Sequence, residues 1–517
     1  MSAKQLETER KFDGTAALPP LELPGVAKVV PAGPQDLDAV YYDTPDLDLL
    51  SRQVTLRRRT GGGDAGWHLK LPTGTDSREE IHAPLEAGAP DRPPAALAAR
   101  VAVFLRGEAL VPVARLRTHR RRRHLLDRRG KALAELAEDR VEARILGPVP
   151  VRAPEHPAPD GDRTGSISWT EVEVELAGGD AELLDRVEQA LTAAGLERAD
   201  HPSKLARALR DAPRPDRRRA PLRTGTPGGL VTGRIRELVD DLLALDPSVR
   251  LDEPDSVHRM RVTARRLRST LKAHRRLFDR RRTDALAAEI RWLGRSLGNA
   301  RDQEVLGEHL VTALDALDSL PDRLRGGPAR GEVSAHYARA YRQAWEQVVR
   351  DLGSVRYHRL LNELESFAAD PPLTARADRK KPRKRLSRTL RHEQRRTLDR
   401  LDAALGLDSG PERDAALHSA RKAAKRARYA AEAARPTAPE RARKFEKRMK
   451  RLQRVLGGHQ DTVVARQALL DHPGPGEDHA FTSGVLYAAQ QRDAEQAERR
   501  LPALRRRVSG PRLARLT

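Results

Sequence analysis

In residues 1 to 210, charged and apolar positions alternate in short runs, most plainly in LETERKF from Leu6, TLRRRT from Thr55 and WTEVEVEL from Trp169. Side chains two apart on a strand share a face. Glu7, Glu9 and Lys11 therefore fall together, as do Arg57 with Arg59 and Arg120 with Arg122. Glu171, Glu173 and Glu175 share a face opposite Val172, Val174 and Leu176. Turn-rich stretches at 18–25 and 60–66 separate such runs, so this half predicts many strands and few helices. Past residue 229 the period lengthens: on a helix, Met260, Ala264, Leu267 and Leu271 form one apolar stripe. Residues 211–229, DAPRPDRRRAPLRTGTPGG, carry neither period and read as a linker. The expectation is an α+β multidomain chain: a β-rich domain at 1–210, the linker, and an all-α domain at 230–517.

The helical half repeats itself. His258-Arg-Met-Arg261-Val-Thr-Ala-Arg265-Arg266-Leu-Arg268 aligns with His418-Ser-Ala-Arg421-Lys-Ala-Ala-Lys425-Arg426-Ala-Arg428. Further on, LGRSLGNARDQEVL from Leu293 aligns with LQRVLGGHQDTVVA from Leu452, matching Asp302 to Asp461. Two matched segments at a kept offset predict a duplicated bundle, with repeats at about 230–370 and 390–517 joined by the basic stretch 376–396. Beside each apolar stripe runs a basic one: His258, Arg261, Arg265, Arg268 and Lys272 in the first repeat, His418, Arg421, Lys425 and Arg428 in the second. Like charges at this spacing repel unless an anion neutralises them. The competing reading is a solvated, solubilising surface.

Charge narrows the partner. Lys and Arg number 97 against 74 for Asp and Glu, a formal net charge of +23, which points to nucleic acid, an anionic membrane or a phosphate polymer. Aromatic residues are only 3% of the chain, too few to supply stacking platforms for bases, and no helix-turn-helix, zinc-finger or RNA-recognition signature is present. With no cysteine, thiolate metal sites, cysteine nucleophiles and disulfides are excluded. The absence of an apolar stretch approaching 18 residues leads to the expectation of a soluble, cytoplasmic protein with no membrane partner.

The mixed charges of the first half suit phosphate chemistry. Closing its strands into a barrel would gather both signs in one lumen. There, carboxylates hold Mg²⁺ or Mn²⁺ through oxygen, while arginine and lysine neutralise phosphate oxygens. Such a site needs no nucleophilic side chain, because a positioned water can attack phosphorus.

At these residues the chain resembles the CYTH family of triphosphate tunnel enzymes. The ExExK motif is Glu7-Thr-Glu9-Arg-Lys11, followed in order by YYDTPDLDLL, LRRR, WHLKLP, the arginine run with Arg120 and Arg122, LAELAEDRV, WTEVEVEL and SKLARAL. The resemblance implies an antiparallel eight-stranded barrel that binds triphosphate. It assigns Glu7, Glu9, Asp139, Glu171 and Glu173 to metal, and Lys11, Arg57, Arg59, Lys70, Arg120, Arg122 and Lys204 to phosphate. Lys11 or Lys204 would also assist the attacking water. His119 departs from the basic residue expected at its place.

The repeated half resembles the CHAD domain, a helical module that binds polyphosphate. That resemblance assigns His258, Arg261, Arg265, Arg266, Arg268, Lys272, His418, Arg421, Lys425, Arg426 and Arg428 to the polyanion, with Glu432 standing where the first repeat has Lys272. The expected function is metal-dependent hydrolysis of inorganic or related triphosphate, with polyphosphate docked nearby and association with polyphosphate bodies. The alternatives are a catalytically silent polyphosphate tether, an adenylate cyclase, a thiamine triphosphatase or a nucleic-acid-binding protein.

Overall fold

Eight strands close on themselves in the first half: β1 (Ala3–Asp13), β2 (Lys28–Asp43), β3 (Thr55–Thr60), β4 (Gly66–Pro72), β5 (Ser77–Ala83), β6 (Val111–Leu126), β7 (Ala132–Ile145) and β8 (Ser166–Leu176). In this computed structural model the described residues are 3–14, 18–147, 149, 166–316, 327–471 and 477–516. The sheet order is β5-β4-β3-β2-β6-β7-β8-β1, and antiparallel pairing of β1 with β5 completes the barrel. A two-residue strand, β9 (Glu197–Arg198), extends the sheet beyond β1. Strand β1 is shared: Ala3 to Thr8 pair with β5, and Glu9 to Asp13 pair with β8. With both neighbours in place the barrel has no open edge along β1.

Alternation decides which way each strand faces. Leu56, Trp67, Leu69 and Ile81 point outward and are buried under helix α1 (Ala95–Leu105), with Leu97, Val101 and Leu105. Phe12, Leu136, Val172 and Val174 are buried in the same way by Leu183, Leu184, Val187 and Leu191 of α2 (Ala181–Ala193). Each such buried aliphatic side chain contributes about 1.5–3 kcal/mol. Asp180 starts α2 by accepting a hydrogen bond from the Leu183 amide at 2.9 Å. Because the outer faces take the apolar residues, the charged positions are left for the interior.

The chain divides into two compact units, Met1–Arg217 and Arg218–Thr517. Residues 213–223 have no regular structure. The second unit opens with α4 (Pro227–Arg250), whose start combines a Thr226 cap on the Gly229 amide at 3.1 Å with proline in the first turn. It continues with α5 (Ser256–His274), α6 (Arg280–Asp315), α7 (Gly327–Leu352), α8 (Val355–Ala369), α9 (Pro382–Leu405), α10 (Pro411–Glu432), α11 (Pro439–Asp471), α12 (Glu477–Arg499) and α13 (Leu501–Val508). The stretch 376–396 is thus only partly a connector, because Pro382 begins a helix within it.

The duplication appears as packing. α5 lies against α4 and α6, α10 against α9 and α11, and α5 and α10 against each other. Met260, Ala264, Leu267 and Leu271 are all fully buried. Their counterparts on α10 are Ala420, Ala424, Ala427 and Ala431, also fully buried. Alanine at all four positions brings neighbouring backbones closer than Met and Leu would.

Candidate functional site

The barrel interior holds a continuous mesh of ion pairs. Glu7 Oε2 meets Lys70 Nζ at 2.5 Å, and Glu9 meets Lys11 Nζ at 3.1 Å and Arg78 Nη1 at 3.4 Å. Lys11 also contacts Glu173. Arg120 grips Asp139 through two hydrogen bonds of 2.8 and 2.7 Å and reaches Glu173 at 2.5 Å. Lys204 Nζ lies 2.9 Å from Asp139, 2.9 Å from Glu171 and 2.5 Å from Glu173. Register brings these groups together: β7 sets Asp139 opposite both Arg120 and Glu171, and β1 sets Lys11 opposite Glu173.

Lys204 arrives differently, at the first position of the short helix α3 (Lys204–Ala208). Ser203 fixes that start by accepting from the Ala206 amide at 3.1 Å. Leu205, Ala206, Ala208 and Leu209 anchor the helix in a cluster with Tyr41, Leu116 and Val141. An apolar plug therefore delivers one ammonium group to three carboxylates.

Burial disfavours charge here, and the neighbours decide the outcome. For Lys204, desolvation is outweighed by Asp139, Glu171 and Glu173, which hold its pKa well above the usual lysine range. For Glu173, desolvation is likewise outweighed by Lys11, Lys204 and Arg120, which hold it well below the carboxylate range. Glu7 goes the other way: burial, reinforced by a hydrogen bond with Glu80, pushes it up to about 8. A carboxyl at that value carries a proton at neutral pH.

Asp139, Glu171 and Glu173 offer oxygens that all lie within 4.8 Å of one another, and all three residues are buried. An all-oxygen donor set with this charge fits a hard divalent cation, with Glu7 and Glu9 on the neighbouring strand. Glu9 Oε1 is buried without a hydrogen bond.

Other predicted residues sit around this centre. The Arg57 guanidinium donates to Tyr41 Oη at 3.2 Å, and Arg59 pairs with Asp64. Arg122 meets Glu135 at 3.5 Å and the Ala32 carbonyl at 3.1 Å. His119 is half-exposed and pairs with Asp36 at 2.8 Å. Four further groups join the site without having been anticipated. Glu80 accepts from His68 Nδ1 at 2.7 Å, Arg78 holds Glu9, and His201 Nε2 lies 3.6 Å from Glu171. Their signal was faint: in SREEIHA, Arg78, Glu80 and His82 alternate with Ile81 and Ala83, but Glu79 interrupts the contrast.

In the helical unit Arg261 of α5 pairs with Asp302 of α6 at 2.7 Å, and its counterpart Arg421 of α10 stands 3.9 Å from Asp461 of α11. Arg265 lies 3.4 Å from the buried Tyr429 hydroxyl. Lys425 is depressed to about 6 by desolvation and then by Arg265, Arg421 and Arg261. His258 and His418 are lowered as well, each by burial first and by neighbouring cations next. Arg268 and Lys272 fall below their ordinary ranges through desolvation, with Arg291 and Arg426 adding to it. Arg428 stacks on Tyr429, 4.4 Å from the ring centre. Arg266 and Arg426 are engaged internally. Arg266 binds Glu432 at 2.9 and 3.1 Å, and Arg426 binds the buried Glu393.

Fold and site define a two-module protein: a closed antiparallel barrel with a charged interior, followed by a helical module with two basic stripes. Residues 5–209 match the CYTH domain and residues 233–470 the CHAD domain. The chain belongs to the family of proteins that carry a CYTH domain followed by a CHAD domain. Uncharacterized proteins from two strains of Mycobacterium tuberculosis, CDC 1551 / Oshkosh and H37Rv, are each 38% identical over 98% of this chain and 97% of their own length. Among solved structures, the CHAD domain from the plant Ricinus communis is 25% identical with a TM-score of 0.44, covering 57% of this chain and 96% of that one. PptA from Streptomyces chartreusis is 22% identical with a TM-score of 0.44, covering 54% and 98%. CYTH domains are metal-dependent, and members are often triphosphatases or cyclases, which places the chain broadly among hydrolase- or lyase-type enzymes. Both families are linked with triphosphate or polyphosphate binding. Among the described residues no helix is long and apolar enough to cross a membrane.

Proposed function

We propose that the barrel hydrolyses inorganic triphosphate or a related triphosphate with Mg²⁺ or Mn²⁺, and that the helical domain binds polyphosphate. The observation that carries this reading is the convergence of Glu7, Glu9, Asp139, Glu171 and Glu173 with Lys11, Lys70, Arg120 and Lys204 in one enclosed space. The acids would hold the cation, which when bound neutralises phosphate oxygens and lowers the pKa of a coordinated water. Arg57, Arg59, Lys70, Arg120 and Arg122 would take the remaining phosphate charge.

Lys204 supports the same chemistry as a fixed positive charge. With its pKa held well above the usual lysine range, after desolvation is overcome by three carboxylates, it stays protonated at neutral pH. It therefore donates to phosphate or orients water, and does not remove a proton from it. Lys11, which pairs with Glu9 and Glu173, would take a similar part.

The test is release of phosphate from tripolyphosphate in the presence of Mg²⁺ or Mn²⁺, with ATP and thiamine triphosphate as competing substrates, for the wild type and for Glu7→Gln and Glu9→Gln. Hydrolysis that collapses in both variants is the expected result. Equal rates in all three proteins would leave a binding protein only, and pyrophosphate released from ATP would move the assignment to a cyclase.

A further inference from the structure

Lys425 of α10 is an amine without a partner. Among the described residues its side chain forms no hydrogen bond or ion pair, whereas Lys11, Lys70 and Lys204 in the barrel each meet a carboxylate. It is partly buried, and the charged groups acting on it come from three helices: Arg261 and Arg265 of α5, Arg421 of α10 and Asp461 of α11. The one acid among them, Asp461, stands 3.9 Å from Arg421.

The matched position in the first repeat is Arg265. A guanidinium keeps its charge and is no nucleophile, whereas an amine can shed its proton and attack. Burial and then Arg265, Arg421 and Arg261 lower Lys425 to about 6. At pH 7 about nine-tenths of such an amine is free base, against about one part in a few thousand for an ordinary lysine. Desolvation beside another cation is one way a lysine is activated as a nucleophile.

The same surroundings attract an anionic reagent. Arg265 points Nε and Nη2 at the Tyr429 hydroxyl, at 3.4 Å each, which leaves Nη1 for a ligand. Arg421 Nε is buried with no hydrogen-bond partner. A phosphoryl group entering between α5 and α10 therefore meets guanidinium donors from both helices.

We propose that Lys425 is a site of covalent acylation by acyl phosphates, which bring a phosphoryl group for the arginines and an acyl carbon for the amine. The Nζ lone pair attacks the acyl carbon, the bond from that carbon to the phosphate oxygen breaks, and phosphate leaves with the electron pair. The proton shed by the nitrogen goes to the departing phosphate, so the products are an amide and inorganic phosphate. An amide takes up no proton, so acylation fixes as neutral a group whose charged form a polyanion favours. That consequence, weaker polyphosphate binding, rests on the polyphosphate-binding reading above.

The test treats the native full-length protein with acetyl phosphate at pH 7 and follows each lysine by mass spectrometry. Lys422, exposed on the same helix, is the internal comparison. Lys425 should be acylated at least about tenfold faster than Lys422, and unfolding the chain in urea first should erase the preference. Treatment should weaken polyphosphate binding by the wild type by roughly threefold to tenfold, and the Lys425→Arg variant, which has no amine there, should show no such response. Equal labelling of Lys425 and Lys422, or a preference that survives unfolding, overturns the proposal. An equal fall in affinity in wild type and variant overturns the link to polyphosphate. A wild type that is acylated at Lys425 yet binds no polyphosphate before treatment would instead sink the underlying reading and leave the acylation site standing.

Discussion

The two halves of the molecule carry their charge in opposite ways. In the barrel nearly every cation faces an acid: desolvation of Lys204 and Arg120 is overcome by carboxylates, and both are held well above their ordinary pKa. Between α5 and α10 cations face cations, and Lys425, Arg268 and Lys272 are all depressed. The first arrangement is prepared before any ligand arrives, with poles of both signs fixed for a cation and an anion together. The second stores repulsion that only an external polyanion relieves. A charge-balanced cavity suits chemistry on a small ligand, whereas an unbalanced surface suits retention of a long one.

The strongest way to break this contrast is at the three acids around Lys204. Glu173→Gln should lower triphosphate hydrolysis by about a hundredfold or more while leaving polyphosphate binding unchanged, as read by phosphate release and by calorimetry. The converse change, Arg265→Ala with Lys425→Ala, should weaken polyphosphate binding by roughly tenfold to a hundredfold without altering hydrolysis in the barrel. If either variant damaged both functions equally, the division of labour would be wrong.

Stability sharpens the comparison next. Glu432 is buried and binds both Arg234, at 2.7 Å, and Arg266, at 2.9 Å. Glu432→Ala strands Arg266 and leaves Arg234 only its pair with Glu237 at 2.6 Å, and both guanidinium groups keep some solvent, so the expected loss is about 2 kcal/mol, less than for a fully enclosed pair. Denaturant unfolding of the helical unit measures it. A midpoint identical to the wild type would show that this network is not structural.

The smallest effect is the dependence on pH, which should have opposite signs in the two halves. Lys425, held at about 6 by desolvation and neighbouring arginines, is neutral above that value, and polyphosphate favours its charged form. Binding therefore takes up a proton, and affinity rises by at most about tenfold per pH unit as pH falls toward 6. Glu7, pushed to about 8 by burial and Glu80, must lose its proton to serve as a metal ligand. Metal binding therefore releases a proton and tightens as pH rises toward 8. Calorimetry in buffers of different ionisation enthalpy counts both protons, and the same sign in both halves would contradict the assignment.

Much of this was readable from local period alone. Glu7, Glu9 and Lys11 share a face because a strand repeats every two residues, and Met260, Ala264, Leu267 and Leu271 share one because a helix repeats every 3.6. What could not be read were partners supplied by distant segments. Nothing in the α5 or α10 stripes announces that Arg266 is taken by Glu432 or Arg426 by Glu393, since those pairings depend on how helices pack. Glu80 was hidden for a related reason. Its place in the lumen follows from its register opposite Lys70 and its bond to His68, both contributed by β4.

The shared position of β1 governs how the two halves can be taken apart. Its first six residues need β5, and its last five need β8, which lies more than 150 residues further along the chain. Cutting the barrel anywhere between those partners would separate Glu7 and Glu9 from Glu171, Glu173 and Lys204, so neither fragment would own a complete lumen. The helical half is built from the same plan twice, with α5 and α10 at matching places in the two repeats. One half of this molecule is thus a single closed unit, and the other is one plan used twice.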